Sequence, residues 1–532
     1  MGKNSISKIL LAIVSISTAL SVDAETTNKR PNLVIGVTID GLSMDYIDLL
    51  RDKFVENGFN YFLNNGVTLT EIDFGTPLDA AAATAVIYTG AAPTINGVSS
   101  AKVFDYGSRK MVPLLNSEKP TPNDTYFSPR KLLASTITDE LRIDGGGNTQ
   151  AHSLGPDASM AVIGGGHTAN SVYWINDASG MWTTSTFFQE RPPYVSQRNK
   201  EQPLSAKLDT LVWSPLFKTT YYPDLNSTRQ ENPFSTRYPY GTPERYARFK
   251  ASPKVNTETT DLAIDFLKNQ QLGTHGEPDM LSIVYTVQPY PFGSDADDKL
   301  ETMDGYLRTD RELDRLLKAV NDGPGLENTL IFISGTPVAP RSRKEDVKWR
   351  IPGGDFSPKK AESLLNLYLI NKFGNADWIA GFDNGYFYLN QDALISYGVD
   401  PRTVREEAAS FLRRMEGVAY AYTIEDITER KVHDNADAVA RNTRIDVVGD
   451  VFITVAPGWH VVDETKQVEA YKMVERAAST TAPAFIVYPG IKPQTINEKL
   501  DARIIAPTVS SLLRIRAPNG ASLAPLRFNR DK

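Results

Sequence analysis

Aspartate side chains are the groups in this sequence whose positions could support chemistry. Asp40 ends an apolar run, Asp79 precedes a run of alanines, and three more aspartates share the loop Asp295–Asp298. Carboxylate oxygens are the ligands that Mg²⁺ and Ca²⁺ prefer, so convergence of these groups would create a divalent-ion site. The simpler interpretation is that Asp40 caps the turn that follows it and that the acidic loop is a solvated surface.

The histidines offer no metal-binding pattern. No two of the five lie within five residues of each other, and none follows an apolar run in the spacing Asp-x-x-x-His. We interpret His167 as a core or turn residue and His275 as part of a polar turn. A zinc site built from scattered histidines would have no sequence signature. The full set is His152, His167, His275, His433 and His460.

Composition excludes several classes of protein. The chain has 532 residues, no cysteine and a formal net charge of -7. The lack of cysteine excludes disulfides, thiolate metal sites and cysteine nucleophiles. An acidic balance with interspersed charges argues against nucleic acid as a partner.

The N-terminal residues 1–24 have the layout of a secretory signal peptide. Lys3 and Lys8 precede an apolar stretch that runs from Ile9 to Leu20. Residues 22–24 (VDA) then have the character of a small-residue cleavage site. We therefore expect cleavage near Ala24–Glu25 and export to the periplasm or beyond, with a retained N-terminal anchor as the alternative. The apolar stretch is shorter than the ~20 residues that a membrane span needs, and no later stretch is longer, so no transmembrane segment is expected after signal removal.

Short apolar runs alternate with helical patterns along the rest of the chain. This alternation predicts an α/β fold with a mostly parallel central sheet flanked by helices. A helix is predicted from Pro358 to Asn371, because Ser357 and Pro358 form a cap and first-turn pair. The clearest strands are predicted at Asn32–Ile39, Ser159–Ile163, Met280–Thr286, Thr329–Ser334, Val451–Val455 and Ala484–Tyr488.

Residues 25–532 are expected to form one domain with cap insertions at about 99–159, 184–254 and 345–444, since no linker-like run separates these stretches. In parallel sheets the chemistry lies at the carboxyl ends of strands. Asp40, Gly335 and the segments after Thr286 and Tyr488 are therefore where a site is expected.

Several short segments carry a resemblance to a known family. They occur in the order 33–41 (LVIGVTIDG), 87–90 (IYTG), 166–170 (GHTAN), 332–334 (FIS), 455–459 (VAPGW) and 504–509 (IIAPTV). Each is weak alone, but together they span nearly the whole mature chain. The sequence resembles the metal-dependent alkaline phosphatase superfamily, specifically secreted phosphate-irrepressible alkaline phosphatases and type I phosphodiesterases/nucleotide pyrophosphatases.

This resemblance implies an alkaline-phosphatase-like core, two zinc ions and a threonine or serine nucleophile between the metals. Two metals would brace the attacking and leaving oxygens of a phosphoryl transfer. In this chain the nucleophile position falls on Ala80, which cannot attack phosphorus. Of the metal-binding positions, the resemblance retains only Asp40.

The other positions that match metal ligands lack suitable side chains. The Asp-x-x-x-His pair falls on Pro289 and Gly293, and the Asp-His pair falls on Thr336 and Pro337. The last histidine has no counterpart, and Lys472 is the nearest residue. The phosphate-contacting asparagine falls on Ala101, and a basic loop before Gly166 is deleted.

Two functions follow from these substitutions. The first is an exported, catalytically inactive relative without a predicted cofactor, which serves as a binding, scaffolding or regulatory protein for an unknown protein or envelope partner. Exposed aromatics at Tyr221, Tyr222, Tyr238 and Tyr240 are candidate contacts, although packing explains such residues more often. The alternative is a phosphomonoesterase or phosphodiesterase with a rearranged Mg²⁺ or Ca²⁺ site.

A displaced nucleophile would serve that alternative. Thr76 and Thr84 are the nearest hydroxyls to Ala80. Thr84 is expected a full turn into a helix, away from the N-terminal amides that help to hold phosphate.

Overall fold

The computed structural model of the chain describes residues 30–116, 127–293, 299–338, 350, 352–433, 435–462 and 479–528. The predicted signal peptide, the loop Asp295–Asp298 and Lys472 lie outside these residues.

The described chain alternates strands and helices, as the apolar pattern predicts. The strands are β1 (Leu33–Asp40), β2 (Val67–Asp73), β3 (Lys102–Asp105), β4 (Lys110–Pro113), β5 (Ala151–Gly155), β6 (Ser171–Ile175), β7 (Trp182–Thr183), β8 (Val212–Trp213), β9 (Thr236–Arg237), β10 (Asp279–Thr286), β11 (Thr329–Gly335), β12 (Asp355–Phe356), β13 (Ile379–Asp383), β14 (Tyr386–Leu389), β15 (Val418–Thr423), β16 (Val451–Val455), β17 (His460–Val461), β18 (Thr481–Val487), β19 (Gln494–Ile496) and β20 (Leu500–Asp501). The α-helices are α1 (Met44–Leu50), α2 (Phe59–Asn65), α3 (Ala80–Thr89), α4 (Pro93–Asn96), α5 (Ile137–Asp144), α6 (Ala158–Gly165), α7 (Pro193–Glu201), α8 (Leu204–Thr210), α9 (Ser227–Glu231), α10 (Arg245–Lys250), α11 (Lys254–Asn269), α12 (Lys299–Asp322), α13 (Pro358–Phe373), α14 (Gln391–Tyr397), α15 (Pro401–Leu412), α16 (Ile424–Thr428), α17 (Ala436–Asn442) and α18 (Ile505–Leu513).

One mixed sheet forms the centre of the molecule, in the order β19-β2-β18-β11-β1-β10-β5-β6-β7, with β20 beside β2. The strands from β11 to β6 run parallel, whereas β18 and β7 are antiparallel to their neighbours. The predicted α/β fold with a mostly parallel sheet is therefore confirmed. β1 lies between β10 and β11, so its carboxyl end meets theirs.

Helices cover both faces of this sheet. One apolar core joins alternate residues of β1 to α1, α2, α11 and α12. The other contains Val34 and joins the opposite face to α3, α5, α6 and α18. Because side chains alternate along a strand, Asp40 shares the face of Val34 and points toward the α3 and α6 side.

A second, four-stranded antiparallel sheet has the order β13-β14-β16-β15 and its own apolar core with α13 and α15. The predicted strand at residues 451–455 is β16, so it belongs to this smaller sheet and not to the central one. The predicted helix after Ser357 is confirmed as α13, with the Ser357 hydroxyl accepting from the backbone N–H of Lys360. The division into one domain with three insertions stays a prediction.

The predicted strand Ser159–Ile163 is wrong, because these residues lie in helix α6. All eight residues of α6 are buried. Because the helix has no polar face, its sequence lacks the alternation of apolar and polar residues every 3.6 positions that identifies a surface helix. The strand that precedes it, β5, contains His152 and Ser153 and was not predicted from the apolar pattern.

Candidate functional site

Asp40 ends β1 at the carboxyl edge of the central sheet, where the sequence places a site. Its Oδ1 atom accepts a hydrogen bond from Thr336 Oγ1 at 2.7 Å and another from Gln288 Nε2 at 3.0 Å. Thr336 follows β11 and Gln288 follows β10, so the two donors come from the strands that flank β1. Asp40 thus connects the ends of three adjacent parallel strands.

Backbone groups complete this connection. The Gly41 N–H donates to Thr336 Oγ1 at 3.2 Å, and Gln288 Nε2 also donates to the Pro337 carbonyl at 3.0 Å. Gly41 has φ +79, and a Cβ there would lie 2.5 Å from the Gln288 side chain, so glycine is required at this contact. We call Asp40, Gln288 and Thr336 the strand-end clasp.

Two members of the clasp, Asp40 and Thr336, occupy positions where the resemblance expects metal ligands, and Gln288 directly precedes a third, Pro289. Thr336 is fully buried, and its hydroxyl donates to Asp40. Pro337 contributes a carbonyl to Gln288, and neither Pro289 nor Gly293 has a side chain that can bind a metal. Zinc needs imidazole, thiolate or carboxylate ligands, so the residues present here do not fit two zinc ions.

Ala80 begins helix α3, and Asp79 is its N-cap. Asp79 Oδ1 accepts from the backbone N–H of Ala82 at 2.9 Å, and Oδ2 accepts from the backbone N–H of Ala101 at 2.7 Å. Burial raises the pKa of the Asp79 carboxyl, and the hydrogen bonds from Ala82 and Ala101 oppose that rise. A carboxylate of the chain itself therefore accepts from a helix N-terminus of the kind that binds phosphate in other proteins.

Neither neighbouring hydroxyl is placed as a substitute nucleophile. Thr84 is fully buried in α3, and its Oγ1 donates to the Ala80 carbonyl at 2.6 Å. Thr76 Oγ1 accepts from Asn442 Nδ2 at 2.7 Å. The Thr84 proton is therefore engaged by the helix backbone, whereas Thr76 precedes the N-cap Asp79 and contacts Asn442.

Further carboxylates face Asp79. Asp157 caps α6 by accepting from the Met160 N–H at 3.0 Å, and its charge raises the pKa of Asp79. Asp383 lies at the end of β13, and its pKa is raised to about 6. Burial is the largest cause and the charge of Asp79 adds to it, whereas the charge of Lys102 opposes the rise. These acidic groups disfavour a phosphate dianion at the start of α3.

Asp383→Asn is expected to stabilise the protein above pH 7 and not at pH 4. Because the folded-state pKa is raised from 3.8 to about 6, the contribution of the protonated carboxyl is present below pH ~4 and is lost as the pH rises through about 6. Since the carboxyl is partly exposed, we expect a gain of about 1 kcal/mol at pH 7.5. Urea unfolding at both pH values measures it, with the exposed Asp52→Asn as the control; an equal gain at pH 4 would contradict the prediction.

The histidines make separate local contacts. His152 is buried against Ser171 Oγ at 2.7 Å, and burial lowers its pKa to about 3. His167 contacts Asp139 at 3.0 Å, which raises the pKa of the imidazole, and His275 contacts Asp279 at 3.0 Å. His433 stacks on Tyr420, and His460 lies in β17.

Within the described ranges, no group of three or more histidine, aspartate or glutamate side chains could hold a metal ion. The proposed role of Asp295–Asp298 lies outside those ranges, as does Lys472. Whether the protein binds a metal stays a prediction.

The candidate aromatic contacts divide into two pairs. Tyr222 is buried and donates to Asp304 at 2.7 Å, and Tyr238 is fully buried. Tyr221 and Tyr240 are exposed, with Tyr240 at 90 %. Of these four tyrosines, Tyr221 and Tyr240 are therefore the two that are accessible to a partner.

The residue that sequence reasoning missed is Gln288. A glutamine next to a proline has no catalytic or ligand signature, and the contacts of Gln288 depend on three strand ends meeting. Its position directly before Pro289 was the only available signal, because that segment follows a strand at the edge where a site is expected.

Comparisons with known proteins agree with the fold. Residues 34–479 match the family model described as type I phosphodiesterase / nucleotide pyrophosphatase. A Myroides odoratus protein named calcium-transporting ATPase is 26% identical over 537 residues, covering 96% of each chain. Alkaline phosphatase PhoV of Synechococcus elongatus is 26% identical over 521 residues, covering 93% of this chain and 92% of PhoV.

The crystal structure of wild-type alkaline phosphatase PafA superimposes with a TM-score of 0.81 at 24% identity, covering 94% of this chain and 99% of PafA. This likeness concerns the fold. In the part of the chain that the structure describes, no helix combines the length and the apolar character needed to cross a membrane.

Proposed function

The chain belongs to the type I phosphodiesterase / nucleotide pyrophosphatase family, within the alkaline phosphatase superfamily, and we propose that it is a member without phosphate-ester chemistry. Its role in this proposal is binding, scaffolding or regulation of a protein or envelope partner. The signal-like residues 1–24 support export to the periplasm or beyond.

The strand-end clasp is the observation that carries this proposal. A metal ion bound to Asp40 Oδ1 would have to displace both Thr336 and Gln288. Loss of the bond to Thr336 would leave a fully buried hydroxyl without its acceptor, which costs about 1–3 kcal/mol. The clasp therefore favours the metal-free arrangement.

The start of α3 supports the same proposal independently. Ala80 has no nucleophilic atom, and the Ala82 N–H already donates to Asp79. The start of α3 therefore lacks a nucleophile to attack phosphorus, and its Ala82 N–H is not available to bind a phosphate oxygen. The alternative, a rearranged Mg²⁺ or Ca²⁺ site, needs Asp40 and Asp79 as ligands, and both carboxylates accept hydrogen bonds within the chain.

Purified protein is expected to contain no stoichiometric zinc and to hydrolyse neither an aryl phosphate monoester nor a diester. Elemental analysis and assays with added Zn²⁺, Mg²⁺ or Ca²⁺ test this, with alkaline phosphatase PhoV as the positive control in the same buffers. Turnover that a chelator removes and that Asp40→Ala abolishes would contradict the proposal. Turnover with Mg²⁺ or Ca²⁺ alone would favour the rearranged site.

Export has its own test. Fractionation of cells that express the full chain is expected to place it outside the cytoplasm, with a mature N-terminus near Glu25. An intact N-terminus in the cytoplasmic fraction would contradict export without bearing on catalysis.

A further inference from the structure

A cavity of about 380 Å³ lies at the junction between α4 of the core and helices α16 and α17 beside the smaller sheet. This volume is within the range of sites that bind small molecules. It is separate from the strand-end clasp, and none of its lining residues belongs to the site described above. The lining residues are Thr94, Ile427, Thr428, Arg430, Ala440, Arg441, Thr443 and Ile445.

Both charged residues in this lining are arginines, Arg430 and Arg441, although the whole chain has a formal net charge of -7. Arg441 contacts Asp501 at 3.6 Å, but Arg503 already binds that carboxylate with two nitrogens at 2.9 and 2.7 Å. Two arginines thus share one aspartate, which leaves an excess positive charge beside the cavity.

Arg430 pairs with Asp437 at 2.7 Å, and their side chains are 63% and 81% exposed. Ion pairs with such exposure contribute little to stability and are readily replaced. An anion in the cavity could therefore compete for the Arg430 guanidinium at low cost.

Contacts with the core hold Arg441 in place. Its Nη2 atom packs against Gly75, which has φ +82. A Cβ atom on residue 75 would lie only 2.7 Å from Arg441 Nη2. Thr94 Oγ1 donates to the Arg441 carbonyl at 2.8 Å. A guanidinium held from both its backbone and its tip loses little entropy when it binds a ligand.

The remaining lining limits the class of anion. Thr94 and Thr428 donate their hydroxyl protons to backbone carbonyls, and the buried Thr443 hydroxyl contacts Tyr386, so the guanidiniums are the charged donors of this lining. Planar guanidinium pairs well with the two oxygens of a carboxylate. The accessible apolar residues of the lining are Ala440 and Ile445, whereas Ile427 is buried behind them.

We propose that this cavity binds an organic carboxylate with a short, branched apolar body, held by Arg441 and Arg430 against Ala440 and Ile445. The site goes beyond the proposed loss of phosphate chemistry, because it uses neither Asp40 nor the start of α3.

Calorimetric titration of the full chain with 4-methylpentanoate tests this proposal. We expect saturable binding at millimolar concentrations, and a loss of at least tenfold in affinity for Arg441→Gln. The isosteric amide, 4-methylpentanamide, is expected not to bind. Arg109→Gln is the matched control, because Arg109 is an exposed arginine that pairs with Asp377 outside the cavity, and its variant is expected to bind as the wild type does.

Equal binding of the acid and the amide would overturn the proposal, as would an unchanged affinity in Arg441→Gln. No saturable binding of 4-methylpentanoate would overturn it too. Inorganic phosphate that competes with equal affinity would show a general anion site and would overturn the carboxylate assignment. If Arg441→Gln fails to fold, Arg430→Gln and the acid–amide comparison on the wild type give the same decision.

Discussion

Replacing Asp40 by alanine is expected to lower the free energy of unfolding by about 3 kcal/mol, with no dependence on added metal. The substitution removes the acceptor of the Thr336 hydroxyl and of one Gln288 hydrogen bond. Thr336 is fully buried, so its hydroxyl has no access to water as a replacement partner. Urea unfolding monitored by fluorescence, with and without a chelator, measures both parts of this expectation.

Two variants separate the clasp from a general effect of mutation at this edge. Asp40→Asn keeps an oxygen that can accept from both donors, so it is expected to lose less than half as much. Ser334→Ala is the matched control on β11. Ser334 is buried, two residues before Thr336, and among the described residues its hydroxyl has no hydrogen-bond partner.

A metal-binding role for Asp40 predicts the opposite pattern. The wild type would then lose stability in a chelator and regain it with zinc, whereas Asp40→Ala would respond to neither. If the wild type behaves in this way, the clasp is not the functional state of the site, and the proposed loss of metal chemistry is contradicted as well.

The sequence predicted well those features that depend on neighbours along the chain. The apolar run from Leu33 identifies β1, and its final residue is Asp40, at the sheet edge where parallel strands end. Ser357 and Pro358 locate the start of α13. The family resemblance placed Ala80 at the nucleophile position, and the structure shows that Ala80 is the first residue of α3.

The clasp could not be predicted in the same way, because it depends on contacts across 248 and 296 positions of the chain. A single sequence does not show which loop a glutamine amide reaches. The resemblance predicted that ligands were missing at Pro289 and Thr336, but it did not predict that Gln288 and Thr336 would connect to Asp40. The hydrogen-bonded connection is thus a separate observation from the predicted absence of ligands.

The predicted roles of Asp79 show the same limit. The sequence offered this carboxylate as a neighbour of the missing nucleophile or as a ligand of a rearranged site. Its contact with Ala82 is local, but the contact with Ala101 joins α3 to the position where the resemblance expects a phosphate-contacting asparagine. One carboxylate therefore connects two segments that the resemblance assigns to phosphate binding.

Asp79→Ala is expected to lower the free energy of unfolding by about 2–3 kcal/mol. Loss of the N-cap costs about 1 kcal/mol, and the Ala101 N–H loses its acceptor, which costs a further 1–2 kcal/mol. Asp79→Ser is the control, because serine can cap α3 but is too short to reach Ala101 as well; it is expected to recover only the cap.

The same pair of variants tests whether Asp79 excludes anions. With the carboxylate removed, the N–H groups of Ala82 and Ala101 lose their shared acceptor, and helix N-termini bind anions. Sulfate is therefore expected to raise the melting temperature of Asp79→Ala more than that of the wild type, and Asp79→Ser is expected to lie between them. Hydrolysis of an aryl phosphate is expected to remain absent in all three proteins, because Ala80 is unchanged. An equal response to sulfate in the wild type and Asp79→Ala would show that the carboxylate does not control access to this helix start.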